Sequence, residues 1–214
     1  MVTRSIRFNS LVLSLFALVT ALLLASTHLG TRDTIAAAER AAAQKTLLEL
    51  FPAEQHDNDL LDDTLPVPPA YLKTLGLGRP AVIHVVRKGG EISGFVIPAT
   101  APDGYSGYIH MIVGIDAGGT IVGVRVTGHA ETPGLGDKIE LRIDPWILSF
   151  NGLSLGNPPR ERWGVKKDQG MFDQFTGATI TPRVVVRKVR DVLEFFREHR
   201  NELIEAAGDG AQQP

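Results

Sequence analysis

Six histidines are spread along the chain (His28, His56, His84, His110, His129 and His199), and no two stand at the i, i+4 spacing of a helical metal site. His129 and Glu131 offer two ligands two residues apart, but no third ligand accompanies them nearby. There is no cysteine, which excludes disulfides, thiolate metal sites, iron–sulfur ligation, a cysteine nucleophile and a thioether lipid anchor. Nucleophilic hydrolysis fares no better, because no G-x-S-x-G elbow is present and Ser106 has no evident base beside it. The glycines of GLGDK lack Walker spacing and the context of a Rossmann turn. One segment remains, DQFTGATITP (Asp173–Pro182). Its small-residue turn, Thr176-Gly177-Ala178-Thr179, runs directly into a helix start. Helix N-termini present unpaired N–H groups and partial positive charge, so a phosphate ester would be stabilised there. Glycine and alanine permit close approach of a ligand, and threonine hydroxyls can donate to phosphate or carry it covalently. Read alone, the same turn is also an ordinary helix entry.

Asp173, Thr176, Gly177, Ala178 and Thr179 match D-x-x-[ST]-G-A-T at every position. This resembles the recognition motif of flavin transferases, which esterify FMN to a threonine. The resemblance implies that Thr179 is the acceptor and that Asp173 serves recognition by the transferase.

A second segment, HAETPGLGDKIE (His129–Glu140), is similar to the signature loop of the FMN-binding domain in the G subunit of the Rnf (Rsx) electron-transport complex. The same domain occurs in one component of the sodium-pumping NADH:quinone reductase. ATAPDGYSG (Ala99–Gly107) and WGVKKDQGMFDQFTGATITP (Trp163–Pro182) resemble the Rnf protein as well, and the TAPDGYSG segment and the chain length favour it over the sodium-pump relative. By this resemblance FMN is a phosphoester on Thr179, with Thr176, Gly177, Ala178 and Thr181 lining the phosphate. Glu131, Thr132, Gly134, Leu135 and Gly136 form the loop against the isoalloxazine ring, Leu135 giving an apolar face. Lys166 and Lys167 either offset phosphate charge or form a solvated pair. The flavin carries the redox chemistry, and the protein positions and tunes it. The implied partners are the other membrane subunits of the complex and, during maturation, the flavin transferase.

These residues require elements to position them. From Phe8 to Thr31 no formally charged residue occurs in 24 positions, and LVLSLFALVTALLLAST (Leu11–Thr27) is apolar apart from small hydroxyls. As a helix rising ~1.5 Å per residue, about 20 residues cross a hydrocarbon core of ~30 Å. The run exceeds a typical signal-peptide core and no small-x-small cleavage site follows, which predicts a retained anchor. Thr34–Phe51 predicts a second helix, capped by Thr34 and stopped by Pro52. Ala53–Pro69, acidic and proline-bearing, reads as a surface loop. Ala81–Lys88 and Glu91–Ala99 flank Gly89-Gly90 as a hairpin, and Gly107–Asp116 and Ile121–His129 form another. Thr100–Ser106 reads as a turn-rich connection exposing Tyr105, and Asp144–Gly152 as a short helix ended by glycine. Pro182–Ala207 is amphipathic, with Val185, Val189, Val192 and Phe196 on one face, Thr181 as N-cap, Pro182 at N1 and Gly208 as its stop.

The expected fold is therefore α+β, antiparallel hairpins packed against helices. The expected division is a cytoplasmic tail (1–7), a transmembrane helix (8–31), a linking helix and surface loop (32–80), an FMN-binding domain (81–207) and a tail (208–214). With 22 basic and 24 acidic side chains and a net charge of −2, the chain lacks the footprint of a nucleic-acid binder. Arg4 and Arg7 precede the span while Arg32, Arg40 and Lys45 follow it, so charge counting scarcely sets orientation; the density in the short tail favours N-terminus in. The resemblance implies the outer face of the cytoplasmic membrane for the FMN domain. The expected function is a membrane-anchored FMN electron carrier in an ion-translocating oxidoreductase. The alternatives are a non-redox tethered assembly module and a flavinylated reductase of a soluble extracytoplasmic substrate.

Overall fold

The computed structural model describes residues 2–210, with side chains from 6 to 208. It opens with one helix, α1 (Val2–Leu50), where two were expected. Thr34 is interior to it, not a cap. Between Thr31 and Leu50 the sequence contains neither glycine nor proline and is rich in alanine. Gly30 alone costs about 1 kcal/mol relative to alanine, too little to stop a ladder supported on both sides. The helix ends two residues before Pro52, as the proline dictates.

The chain divides into two compact units, Met1–Lys45 and Thr46–Pro214. In the first, the apolar stretch exposes Leu11, Leu13, Leu15, Phe16, Leu18, Leu22 and Leu24 in every direction. Four of its hydroxyls turn back onto the helix. Thr20, Thr27 and Thr31 each donate to the carbonyl four residues earlier at 2.8 Å, and Ser26 does the same to Leu22. Polar groups satisfied within the helix are what a hydrocarbon environment demands, and this helix is long and apolar enough to cross a membrane.

The second unit is built on a five-stranded antiparallel meander: β1 (Thr64–Pro66), β2 (Val82–Lys88), β3 (Glu91–Gly104), β4 (Gly107–Asp116) and β5 (Ile121–Gly128), in that order across the sheet. Both expected hairpins form. The connection expected over Thr100–Ser106 is mostly strand: β3 runs to Gly104, pairs there with Gly107, and turns on Tyr105-Ser106 alone. Pro102 and Asp103, turn formers by type, are absorbed by a register shift between Ala101 and Gly104. β1 lies in the segment expected to be loop, a three-residue edge strand ending on a proline that needs no ladder donor.

One sheet face carries α2 (Ile180–Gly210), whose Val185, Val189, Val192 and Phe196 are buried against Phe95, Ile97 and Val113 among others. The other carries a smaller cluster of Leu47, Leu50, Phe51, Leu60, Val86 and Val96. That contact is close: a Cβ at Gly123 would fall 2.8 Å from Leu50 Cδ2, and one at Gly94 2.8 Å from Phe51 Cζ. The architecture is α+β, as expected. The helix expected over Asp144–Gly152 is a 3₁₀ helix, Pro145–Phe150, started by Asp144 accepting the Trp146 N–H at 2.9 Å. Helix α2 begins at Ile180, so Thr181 lies inside its first turn and is not the N-cap. Pro182 is tolerated there because first-turn N–H groups have no intrahelical partner. Gly208 does not stop the helix, which continues to Gly210.

Candidate functional site

Thr179 immediately precedes α2, and its carbonyl accepts the Arg183 N–H at 3.4 Å. Its side chain is half-buried, and among the described residues its hydroxyl has no hydrogen-bond partner. It opens on a cleft of about 550 Å³ lined by Glu131, Thr132, Leu135, Gly136, Gly177, Ala178, Thr179 and Thr181, together with Tyr105 and Ile180. Three chain segments meet here: the β3–β4 turn, the loop after β5, and the turn into α2. Gly177 stands at φ +82°, a conformation that favours glycine, and a Cβ there would press against Leu135 Cδ2 at 3.4 Å. A Cβ at Gly136 would meet Glu131 Oε2 at 2.6 Å and Thr181 Oγ1 at 2.9 Å.

Large apolar side chains converge on this cleft while remaining exposed: Tyr105 (70%), Ile180 (43%) and Leu135 (41%). Elsewhere in this unit such residues are mostly in the core. A concave site with apolar walls and a few convergent polar groups is the general form of a small-ligand pocket.

Glu131 is only 5% exposed. Its Oε1 accepts the Ser106 N–H at 3.0 Å, and its Oε2 accepts the Thr181 hydroxyl at 2.5 Å. Thr181, fully buried, lines the cleft but spends its hydroxyl on Glu131. Gly134, Thr176, Lys166 and Asp173 are not among the residues lining this cleft. Lys166 Nζ instead pairs with Asp173 Oδ1 at 2.5 Å. Thr176 and Asp173 line a neighbouring cleft with Lys138, Trp146 and Phe175. There the Trp146 indole N–H donates to the Asp173 carbonyl at 2.8 Å, and its ring meets Phe175 edge-on at 5.1 Å. Asp173 thus has a fixed backbone and an exposed carboxylate.

The His129–Glu131 pair is not a ligand set. His129 Nδ1 accepts the Glu131 backbone N–H at 3.0 Å, which leaves Nε2–H to donate to Glu140 Oε1 at 2.7 Å. Glu140 also receives Arg142, whose hydrogen bond is the main reason its carboxyl lies below the ordinary value, with His129 adding to the effect. Among the described residues no group of three potential metal ligands is present.

Sequence reasoning missed Tyr105 and Ile180 as lining residues. Tyr105 carried a readable signal, a large aromatic at an exposed turn; Ile180 carried none. The assembled cleft fits a flavin mononucleotide. Apolar walls suit an isoalloxazine ring, and a 31-residue helix begins beside Thr179, whose hydroxyl is left room by the small residues Gly177 and Ala178. No described residue lining it is basic, so a phosphate bound there would have helix N–H groups, and no ion pair, to meet its charge.

The FMN-binding domain family matches residues 104–194, and the RnfG N-terminal region family matches residues 1–50. The G subunit of the ion-translocating oxidoreductase complex of Pseudomonas aeruginosa (strain UCBPP-PA14) is 49% identical over 208 residues, 96% of each chain. The protein of the same name from Vibrio vulnificus (strain YJ016) is 42% identical over 200 residues, 94% of this chain and 93% of its own. That from Aliivibrio fischeri (strain ATCC 700601 / ES114) is 44% identical over 195 residues, 91% and 92% respectively. Similarity at this level spans the apolar helix, the meander and the cleft alike, and the chain belongs to the family of G subunits of ion-translocating oxidoreductase (Rnf) complexes, with an FMN-binding domain.

Proposed function

We propose that this chain is a single-pass membrane flavoprotein that holds FMN as a phosphoester on Thr179 and passes electrons within a complex that couples electron transfer to ion translocation. The observation that carries the reading is the cleft itself: three exposed apolar side chains and an unpartnered threonine hydroxyl at the start of a long helix. When bound, FMN supplies one- and two-electron redox chemistry. The protein's share is placement. Thr179 Oγ would bond the phosphorus and lose its hydroxyl proton as a P–O bond of the flavin donor breaks and its leaving group departs with the transferase's other product. The ester then equals threonine plus FMN less one water. The N-terminal dipole of α2 would favour the remaining phosphodiester charge by about 0.3–1 kcal/mol. Gly177 and Ala178 leave the phosphate room, while Leu135, Thr132 and the loop from Glu131 to Gly136 border the ring. The lack of a basic lining residue supports a covalent tether over ionic retention.

The exposed Asp173 carboxylate, on a backbone held by Trp146, supports its reading by a flavin transferase. Residues 1–7 form the cytoplasmic tail, 8–31 the span, and 32–80 a linking region, of which the part up to Leu50 is helical. Residues 81–207 form the FMN domain on the outer face of the cytoplasmic membrane, and 208–214 a tail. Arg4 and Arg7 beside the span support that orientation, and the other membrane subunits are its electron partners.

Co-expression with a flavin transferase tests the site. Peptide mass spectrometry should find Thr179 heavier by one FMN less one water, and a fluorescent band in a denaturing gel should vanish in Thr179→Ala and persist in Lys166→Ala. A band that survives Thr179→Ala, or an unmodified Thr179 in the co-expressed chain, overturns the assignment.

A further inference from the structure

Tyr105 is the most exposed large side chain lining the cleft, and among the described residues no other ring packs on it. It sits at the tip of a two-residue turn between β3 and β4, closed by the Gly104–Gly107 pair. An exposed tip of this kind is ordinarily mobile and polar. This one is held from behind. The next residue, Ser106, donates its N–H to Glu131 Oε1 at 3.0 Å, and the other oxygen of the same buried carboxylate takes the Thr181 hydroxyl at 2.5 Å. One side chain therefore ties together the turn bearing Tyr105, the loop bearing Leu135, and the first turn of the helix that Thr179 precedes. Because both carboxylate oxygens face protein partners, Glu131 is better suited to position the walls than to contact a ligand. The three segments are 25 and 50 residues apart in sequence, so no local interaction sets their spacing.

We propose that Tyr105 is the aromatic wall on which the isoalloxazine ring stacks, and that Glu131 is the positioning residue that holds this wall at a fixed distance from Thr179. The proposal rests on Thr179 being the FMN attachment point. With the phosphate end fixed and the ribityl chain flexible, a second contact is required to give the ring one orientation. A flat, amphipathic phenol supplies stacking area at the cost of only two side-chain torsions. Electron transfer to a neighbouring centre depends on distance, so an unstacked, mobile ring would make that distance variable.

The test uses the full-length chain, flavinylated by co-expression with a flavin transferase and purified in detergent. A phenol stacked on a flavin quenches its emission, so time-resolved fluorescence separates a short-lived stacked population from a long-lived free one. Loss of an aromatic stacking contact changes the ratio of these populations by about 2- to 12-fold. Tyr105→Leu is expected to lower the short-to-long ratio by that amount and to reduce the visible circular dichroism of the flavin. Tyr105→Phe should preserve the dichroism while losing much of the quenching, because the ring remains but the electron-rich phenol does not. Glu131→Gln should lower the ratio in the same direction by less, with far-ultraviolet dichroism unchanged. Unchanged lifetimes and visible dichroism in flavinylated Tyr105→Leu overturn the stacking assignment alone, and an unchanged ratio in Glu131→Gln overturns the positioning role. Flavin released from the wild-type chain on denaturation overturns the Thr179 reading, and this proposal with it.

Discussion

Helices α1 and α2 are both long and both rich in apolar residues, yet they deal with those residues in opposite ways. Over Phe8–Thr31, α1 carries leucine, valine and phenylalanine on every side, all exposed. Helix α2 confines Val185, Val189, Val192 and Phe196 to one face and buries them against the sheet, leaving Arg183, Arg187 and Arg197 to the polar side. A helix apolar all round needs an apolar solvent, whereas an amphipathic one needs a partner within the chain. The hydroxyls teach the same lesson. Thr20, Ser26, Thr27 and Thr31 of α1 fold back onto their own backbone, while Thr181 of α2 reaches a buried carboxylate fifty residues away. One helix is finished by its surroundings and the other by the fold, and the functional cleft is assembled at the start of the second.

The sharpest way to break this contrast is to remove equal chemistry from each. Phe196→Ala deletes a buried ring that packs on Phe95 at 5.8 Å and should destabilise the Thr46–Pro214 unit by about 3–5 kcal/mol. Leu15→Ala deletes an exposed side chain from α1 and should leave that unit within about 0.5 kcal/mol of wild type. Denaturant unfolding followed by tryptophan fluorescence reports both, since Trp146 and Trp163 lie in this unit. Comparable losses from the two substitutions would mean that α1 is a soluble core element after all.

A charge within the apolar stretch probes the other half of the comparison. Leu18→Arg places a guanidinium near the middle of Phe8–Thr31, at a cost of about 2.5–3.5 kcal/mol for insertion of the helix. The expected result is a shift of the chain from the carbonate-resistant membrane fraction to the wash, with the unfolding midpoint of the Thr46–Pro214 unit unmoved. Full membrane retention of Leu18→Arg would refute the reading of α1 as the anchor.

What can be read from residues alone follows from how local each determinant is. The Gly89-Gly90 hairpin, the face of α2 and the small-residue turn before Thr179 are encoded within a few positions, and all stand in the structure. The cleft as a site is not local. Tyr105 reaches it because a register shift in β3 absorbs Pro102 and Asp103, residues whose types argue for a longer loop. The family resemblance assigns Glu131 to the ring, but its carboxylate is engaged by Ser106 and Thr181, partners that no sequence window contains. Lys166 reads as a phosphate partner or, more often for adjacent lysines, a solvated residue, and an acid seven positions on pairs with it. β1, three residues long, is too short to display a period of two. The break expected at Thr34 does not occur, because a single threonine cannot outweigh an uninterrupted alanine-rich ladder.

The smallest effect lies at the entry to α2, and its sign is definite. Arg183 occupies the first helical turn, where a cation opposes the dipole. Asp168 compensates in a two-pronged contact, Oδ2 to Nε at 2.6 Å and Oδ1 to Nη2 at 2.9 Å. The Arg183 hydrogen bond is the main reason the Asp168 carboxyl is held below its ordinary value, with the charges of Arg183 and Lys167 adding to it. A depressed native pKa means that the unfolded chain takes up the proton first as the medium is acidified. The contribution to stability is therefore complete above about pH 4 and is lost as pH falls through the native pKa. Because the pair is solvent-exposed, salt weakens it as well. Unfolding of wild type and Asp168→Asn should thus differ slightly at pH 6 in low salt, and the gap should narrow as pH falls below about 4 and again at 1 M salt. The same titration has no counterpart between Phe8 and Thr31 of α1, where no carboxylate occurs. A gap unmoved by both acid and salt would show that Asp168 supports the start of α2 by packing and not by charge.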